Sequence, residues 1–216
     1  MSNTPETTSS RIHAATAEHH DRLVGLPYNS SLINGEVTTA QLVQDLVQRR
    51  ALYAALESRL GENSLDPRIR KVFTDEHFKR SILEEDIINS TDFRYGAFPL
   101  TSNTNTYVSG LESRNTDPLS LAGAFYVLEK TAKGTRVHDK VYTKLGLDVK
   151  YFDPKADAKF TELVGRLDDE FQLDAEQQVI VDGTVGMYKY LIEISEFLGR
   201  VQRLEPRRTT RVIQIN

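Results

Sequence analysis

Apolar residues at helical spacing in the last long segment of the sequence restrict the fold more than any other feature. Over residues 174–204 they recur every three or four positions, at Val181, Val185, Tyr188, Leu191, Ile194 and Leu198. This spacing places one apolar stripe along a single face of an α-helix. Such a helix needs partners that cover the stripe, which predicts a fold built from packed helices.

The other predicted elements are helical as well. Helices are expected over about residues 11–24, 39–60, 68–90, 106–114, 119–145 and 155–171. Pro27 and Asn29 predict a break after the first helix, and residues 91–105 predict a long connection. Because no segment alternates between apolar and polar residues as a strand does, the sequence predicts an all-α fold of seven to nine helices around one core.

Composition excludes several kinds of chemistry. The chain has no cysteine, which rules out disulfides, thiolate metal sites, iron–sulfur clusters and cysteine nucleophiles. A net charge of −4, without a dense basic stripe, gives no sign of a nucleic-acid partner. No apolar run approaches the roughly 20 residues of a membrane span, and the N-terminus lacks a signal-peptide core. A cytoplasmic protein without a membrane partner is expected.

The sequence predicts one domain with a short segment on either side. Residues 1–10, rich in Ser and Thr, are typical of a disordered leader, and residues 205–216 form a basic tail. The helical domain is expected over residues 11–204, long enough to bury a hydrophobic core.

Two adjacent histidines near the N-terminus are the first candidates for function. His19 and His20 lie in the predicted helix 11–24, about 100° apart around its axis. The expected apolar stripe of this helix consists of Ile12, Ala15, Leu23 and Leu26. Periodicity aligns His19 with this stripe and sets His20 at the edge of the core. An edge position suits a pocket ligand and an ordinary boundary residue equally well.

Four blocks follow in order along the chain, at residues 15–20, 34–38 together with 52–57, 83–87 and 124–129, and they give the sequence a resemblance to heme oxygenases. Residues 15–20 are similar to the family's Ala-Thr-x-x-x-His, and residues 34–38 to its Gly-x-Val-Thr helix start. Residues 52–57 and 83–87 resemble its Tyr-x-x-Leu-Glu and Leu-x-x-Asp-Leu. Residues 124–129 resemble the segment that leads into the distal helix of bacterial members.

The resemblance implies a heme-oxygenase-like multi-helical single domain that holds heme between a proximal helix, 11–24, and a distal helix, 119–145. His20 stands at the position of the proximal iron ligand. The implied reaction cleaves heme to biliverdin, carbon monoxide and ferrous iron. Heme is then both cofactor and substrate, O2 is the oxidant, and a reductase or ferredoxin supplies the electrons.

The distal segment departs from the family pattern. Bacterial members continue with Gly-Ser-x-x-Gly-Gly, whose glycines let the backbone lie against the porphyrin. Here residues 130–135 read Lys-Thr-Ala-Lys-Gly-Thr, so only Gly134 keeps a glycine position. Lys130 and Thr135 bring side chains to the heme surface, and Thr131 supplies a hydroxyl for distal water. Thr131 and Gly134 are therefore the predicted catalytic residues.

Other residues are candidates for contact with heme. Heme propionates usually meet Lys or Arg through charge-assisted hydrogen bonds. Thr161 and Gly165 stand where well-studied members carry basic residues. The predicted substitutes are Arg11, His13, Lys159 and Arg166, and Tyr188 is expected to form a pocket wall.

Two alternatives stay open beside heme degradation. The altered distal segment also suits a protein that binds, stores or senses heme through His20 without degrading it. The fold can instead serve another small molecule, or a non-heme metal. The residues considered for such a metal are His20, His77, Glu84 and Asp86, although the Glu-x-x-His pairs of di-metal bundles are missing.

Overall fold

The computed structural model describes residues 6–62, 66–90, 98–133, 141–142, 144–151 and 156–201, which form helices and no strands. The helices are α1 (Thr8–Gly25), α2 (Pro27–Asn34), α3 (Thr39–Leu60), α4 (Pro67–Val72), α5 (Arg80–Asn89), α6 (Ser102–Glu112), α7 (Pro118–Ala132), α8 (Ala156–Glu170) and α9 (Asp174–Val201), with a 3-10 turn at Asp75–His77. The all-α prediction is confirmed. Within these ranges, no helix has the length and apolar character that crossing a bilayer requires.

Helix α3 occupies the centre of the core. Its start is fixed by a capping box, in which the Thr38 hydroxyl accepts a hydrogen bond from Gln41 N while Gln41 Oε1 accepts one from Thr38 N. Residues 41–48 are all buried, and the helix packs against α5, α6, α7 and α9. A helix covered on all sides lies inside the bundle, so α3 is the element on which its neighbours pack.

Helices α7 and α9 have the most extensive contact among the described helices. A Cβ atom at Gly123 would lie 2.0 Å from the carbonyl oxygen of Ile180, and one at Gly183 would lie 2.0 Å from that of Ser120. Glycine is therefore required at both positions, because no side chain fits between the two backbones.

Helix α1 is attached at both ends to the C-terminal part of the fold. Near its start, the backbone N–H and hydroxyl of Ser9 donate to the carboxylate of Asp168 at 2.7 and 2.6 Å. Near its end, Arg22 pairs with Glu196 of α9 at 3.1 Å. These contacts hold the side chains of α1 in place relative to α9.

Two predicted boundaries near the N-terminus need correction. Helix α1 begins at Thr8, so residues 8–10 of the expected leader are helical. The chain does break after the first helix, at the extended Leu26, but Pro27 and Asn29 lie in α2 and not in the break. Proline fits the first helical position because its missing N–H would have no intrahelical partner there. The basic tail, 205–216, lies outside the described residues.

The structure also corrects three helices in the middle of the chain. The helix predicted over 68–90 is interrupted between Val72 and Arg80, where His77 Nδ1 accepts a hydrogen bond from Thr74 N at 3.2 Å. Helix α6 begins at Ser102, inside the predicted connection, because the hydroxyl of Thr101 caps it. Helix α7 ends at Ala132, short of the predicted end at 145, and residues 134–140 are outside the described ranges.

The contact between α7 and α9 predicts a large cost for a single methyl group. Gly183→Ala should lower the free energy of unfolding by about 3 kcal/mol or more, because the new Cβ cannot approach the Ser120 carbonyl without separating the helices. Gly165→Ala in α8 is the matched control, since a Cβ there meets nothing within 4 Å. It should raise stability by up to about 1 kcal/mol through helix propensity. Urea denaturation measures the free energy of unfolding of both variants. Equal changes in the two variants would contradict the close packing of α7 against α9.

His77 is fully buried between α4 and α5. Its Nδ1 accepts from Thr74 N, which places the proton of the neutral ring on Nε2, an atom without a hydrogen-bond partner in the described structure. Burial lowers the pKa of His77, against the weaker opposing effect of Glu129 and Glu76. The folded protein therefore keeps this ring neutral at pH values where the unfolded chain, with a histidine pKa of about 6.5, binds a proton.

Stability should consequently fall as the pH decreases below about 6.5. The loss attributable to His77 is at most about 1.4 kcal/mol per pH unit, because one proton is involved. His77→Asn retains an acceptor for Thr74 N and should remove this part of the pH dependence. Urea denaturation between about pH 7 and 5 tests it, with His13→Asn, at an exposed position, as the control. An unchanged slope in the His77 variant would contradict the assignment.

Candidate functional site

A pocket of about 270 Å³ opens between α1, α2, α3, α7 and α9. This volume lies just below the range of roughly 300–1,000 Å³ that is typical of small-molecule sites. Its apolar lining consists of Leu23, Val24, Leu32, Ile33, Leu191 and Ile194. Its titratable side chains are His20, Asp45, Arg49, Lys130 and Tyr188. The pocket therefore combines an apolar wall with a few polar groups from different helices.

His20 enters the pocket from α1. The buried face of this helix consists of Thr8, Ile12, Thr16 and Leu23. His20 follows Thr16 by one helical turn and lies at the exposed edge of this face, whereas His19 is half-buried. The expected stripe is right at Ile12 and Leu23 but wrong at Ala15, which is exposed. Thr16 joins the buried face instead, because its hydroxyl donates to the Ile12 carbonyl at 2.7 Å.

The imidazole of His20 is available to a ligand. Its side chain is 47% exposed, and Nδ1 lies 3.5 Å from a carboxylate oxygen of Asp21. Nε2 forms no hydrogen bond with the described residues. The ring meets Tyr188 edge to face, with 6.4 Å between the ring centroids.

Tyr188 of α9 also contacts the opposite wall. The Nζ atom of Lys130 lies 5.8 Å from the centroid of the buried Tyr188 ring, in a cation–π arrangement. Burial lowers the pKa of Lys130, and the nearby charge of Lys133 adds to this effect. Lys130 forms no ion pair with the described residues. One aromatic ring thus separates the histidine of α1 from an unpaired ammonium on α7.

A buried ion pair on α3 forms another part of the wall. Arg49 Nε donates to the two carboxylate oxygens of Asp45 at 3.1 and 3.0 Å, and the side chains are 13% and 6% exposed. Burial opposes the charge of Arg49, but Asp45, together with Tyr151 and Tyr28, raises the pKa of the guanidinium above its usual value. Sequence reasoning missed both residues. The available signal was a pair of opposite charges four positions apart within an apolar helix.

Thr131 links α7 to this ion pair. Its Oγ1 accepts a hydrogen bond from Arg49 Nη1 at 3.0 Å and donates to the carbonyl of Leu128 at 3.0 Å. The hydroxyl predicted from the sequence therefore does lie in the pocket wall, already engaged on both sides.

A second buried ion pair fixes the end of α7. The carboxylate of Glu129 accepts hydrogen bonds from Lys79 Nζ at 2.6 Å and from the Tyr53 hydroxyl at 2.8 Å. Because Glu129 directly precedes Lys130, these bonds hold the pocket-lining turn of α7 against α3.

The structure brings together four of the predicted site residues and leaves four others elsewhere. His20, Lys130, Thr131 and Tyr188 line the pocket, whereas Arg11, His13, Lys159 and Arg166 do not. Arg11 donates to Asp174 at 3.1 Å, and Arg166 to Glu76 at 3.1 Å. Gly134 and Thr135 lie outside the described residues.

The acidic side chains considered for a metal have other partners. Asp86 accepts hydrogen bonds from the backbone N–H groups of Lys150 and Tyr151 at 2.8 and 2.7 Å, and Glu84 pairs with Arg50. The described residues contain no group of three or more side chains suited to a metal ion. A non-heme metal site therefore has no support in this part of the chain.

Comparison with known proteins identifies the fold. The sequence matches no protein-family model, and no curated protein sequence matches it significantly. Among solved structures, the heme oxygenase of Leptospira interrogans is similar with a TM-score of 0.78 and 16% identity, covering 88% of this chain and 99% of that one. Heme oxygenase-1 of the cyanobacterium Synechocystis, in complex with heme, is similar with a TM-score of 0.79 and 14% identity. The match covers 89% of this chain and 92% of that one.

Heme oxygenase-2 of Synechocystis, in complex with heme and NO, is similar with a TM-score of 0.77 and 19% identity, covering 89% of this chain and 85% of that one. At such low sequence identities, these similarities show only that the folds are alike. The chain has the all-α heme oxygenase fold, so the predicted resemblance is confirmed at that level.

Proposed function

We propose that this protein is a heme oxygenase that binds heme in the pocket between α1 and α7, where His20 would hold the iron. One observation carries the proposal. His20, Lys130, Thr131 and Tyr188, selected from sequence blocks far apart in the chain, line a single pocket. The similar structures with bound heme add support at the level of fold.

The residues of the pocket suit a heme. A porphyrin is a flat, largely apolar ring whose iron takes an imidazole nitrogen, and His20 Nε2 has no competing bond among the described residues. Val24 and Ile33 line the pocket and are among the few large apolar side chains exposed on the described surface. A ring that extends from the pocket over these residues would cover them, which is favourable.

Bound heme supplies the redox chemistry, with O2 as oxidant and electrons from a reductase or ferredoxin. The proposed products are biliverdin, carbon monoxide and ferrous iron. The proposed location of the protein is the cytoplasm. The chain's own part is positional. His20 orients the heme from α1, while Thr131, fixed by Arg49, forms the wall on the other side. Gly134 and Thr135 complete that wall in the sequence-based prediction.

Lys130 favours a second function, heme binding without degradation. Its side chain occupies the pocket wall at a position where bacterial members of the resembled family carry glycine. A long cationic side chain there competes with small ligands for space beside the heme.

Hemin titration tests the axial ligand. The parent protein should develop a saturable Soret band, and His20→Ala should weaken hemin binding about tenfold or more and change the spectrum, because the iron loses its imidazole ligand. His19→Ala is the matched control and should bind hemin as the parent does. Loss of the spectrum only in His19→Ala would refute the assignment, and absence of a saturable band would remove heme binding altogether.

Turnover separates the two functions. In air, with ascorbate or a ferredoxin reductase system, the Soret band of a heme oxygenase should decay while biliverdin absorption rises. Lys130→Gly should accelerate the decay several-fold, because it clears the pocket wall, and Lys133→Gly at an exposed position should not. A Soret band that stays stable in the parent and in Lys130→Gly would exclude degradation and leave the binding function.

A further inference from the structure

The hydroxyl of Thr131 has no proton left for a ligand. A threonine hydroxyl carries one hydrogen, and that of Thr131 is donated to the carbonyl oxygen of Leu128 at 3.0 Å. Its oxygen also accepts a hydrogen bond from Arg49 Nη1 at 3.0 Å. Thr131 can therefore accept one further bond at most, and a ligand oxygen or anion in the pocket needs a different donor.

Arg49 has donors to spare. A guanidinium carries five N–H bonds, and Arg49 uses Nε for Asp45 and Nη1 for Thr131, with the Tyr151 hydroxyl 3.5 Å from Nη1. The two N–H bonds on Nη2 have no hydrogen-bond partner among the described residues. Because Arg49 lines the pocket, these N–H groups are the free donors of its α3 wall.

The guanidinium is also held in position. Asp45 fixes Nε through both carboxylate oxygens, and Thr131 fixes Nη1, so neither the charge nor the plane of the group can shift easily. A donor that is already oriented needs no rearrangement when negative charge forms beside it. Lys130, by contrast, reaches the Tyr188 ring through a flexible four-carbon stem.

Arg49 and His20 belong to different walls of the pocket. Helix α3, which carries Arg49, packs against α7, whereas α1, which carries His20, makes its main contacts with α2, α8 and α9. The pocket lies where these helices meet, and α9 contacts both α1 and α3 there. A ligand in the pocket therefore meets His20 from α1 and Arg49 from α3.

We propose that Arg49, oriented by Asp45 and Thr131, is a hydrogen-bond donor of the pocket towards an oxygen atom or small anion that binds there. Thr131 is then a positioning residue for Arg49, and its hydroxyl does not itself donate to the ligand. This inference rests on the proposed function, since the anion is held beside bound heme.

Fluoride affinity of the ferric hemin complex measures this donor. Removing Arg49 alone would leave the Asp45 carboxylate buried without a partner, so the test uses Asp45→Asn together with Arg49→Gln. This double variant keeps His20 and should still bind hemin, but its hemin complex should bind fluoride about tenfold more weakly or worse, because a charged hydrogen bond is lost. Arg49→Lys keeps the charge beside Asp45 without the Nη atoms and should show the same direction of change.

Three controls distinguish a donor from a merely structural residue. Thr131→Val should weaken fluoride binding less than the Arg49 variants do, since Asp45 still holds Arg49 while Thr131 no longer does. Arg50 is the neighbouring residue that pairs with Glu84, and Arg50→Gln should leave the fluoride affinity unchanged. Carbon monoxide affinity of the ferrous complex should vary little in all variants, because this neutral ligand is a poor hydrogen-bond acceptor.

The outcomes separate the two proposals. Hemin binding with unchanged fluoride affinity in both Arg49 variants overturns the role of Arg49 and leaves the proposed function intact. A loss in Thr131→Val as large as that in the Arg49 variants overturns the assignment of the donor. Parallel losses of fluoride and carbon monoxide affinity indicate a collapsed pocket. They also overturn the assignment of Arg49 as the donor. A parent protein that does not bind hemin overturns both.

Discussion

The close contact between the backbones of α7 and α9 holds together the two helices that carry Lys130 and Tyr188 of the pocket. At Gly123 and Gly183 the two helices approach so closely that neither position admits a Cβ atom. From that contact each helix continues towards its C-terminal end, α7 to Lys130 and α9 to Tyr188, and there the two side chains meet at 5.8 Å. Because α1 is attached to α9, the same contact also sets the distance from which His20 faces Tyr188.

Buried polar groups then fix the end of α7 against α3. Glu129 is bonded to Lys79 and Tyr53, and two residues later Thr131 is bonded to Arg49. Charges buried this deeply require good partners, and here each of them has one. The pocket wall is therefore fixed by specific hydrogen bonds as well as by apolar packing, which leaves little freedom for this turn of the helix to rearrange.

Long-range periodicity predicted the all-α class and the central helices well, because α3 and α9 bury continuous apolar faces. It failed where a local polar group decided the outcome. Thr101 caps α6 inside a stretch that looked like a connection, and Pro27, expected to mark a break, opens a short helix. The register around His20 depended on Thr16, whose buried hydroxyl is bonded within its own helix and so counts as part of the core face.

The functional site was predictable only as far as it resembles a known family. His20, Lys130, Thr131 and Tyr188 were found in that way, whereas the ion pair on α3 and the partners of the predicted propionate residues depend on tertiary contacts that one sequence does not reveal. The presence of that buried ion pair is also hard to explain by a contribution to the stability of the fold. Replacing a buried pair by apolar residues is often neutral or stabilising, and an apolar porphyrin ring has no need of charge in its wall. A charged pair that is retained at the pocket, with N–H donors still unused by the described residues, therefore points to a ligand that carries oxygen or negative charge at that wall.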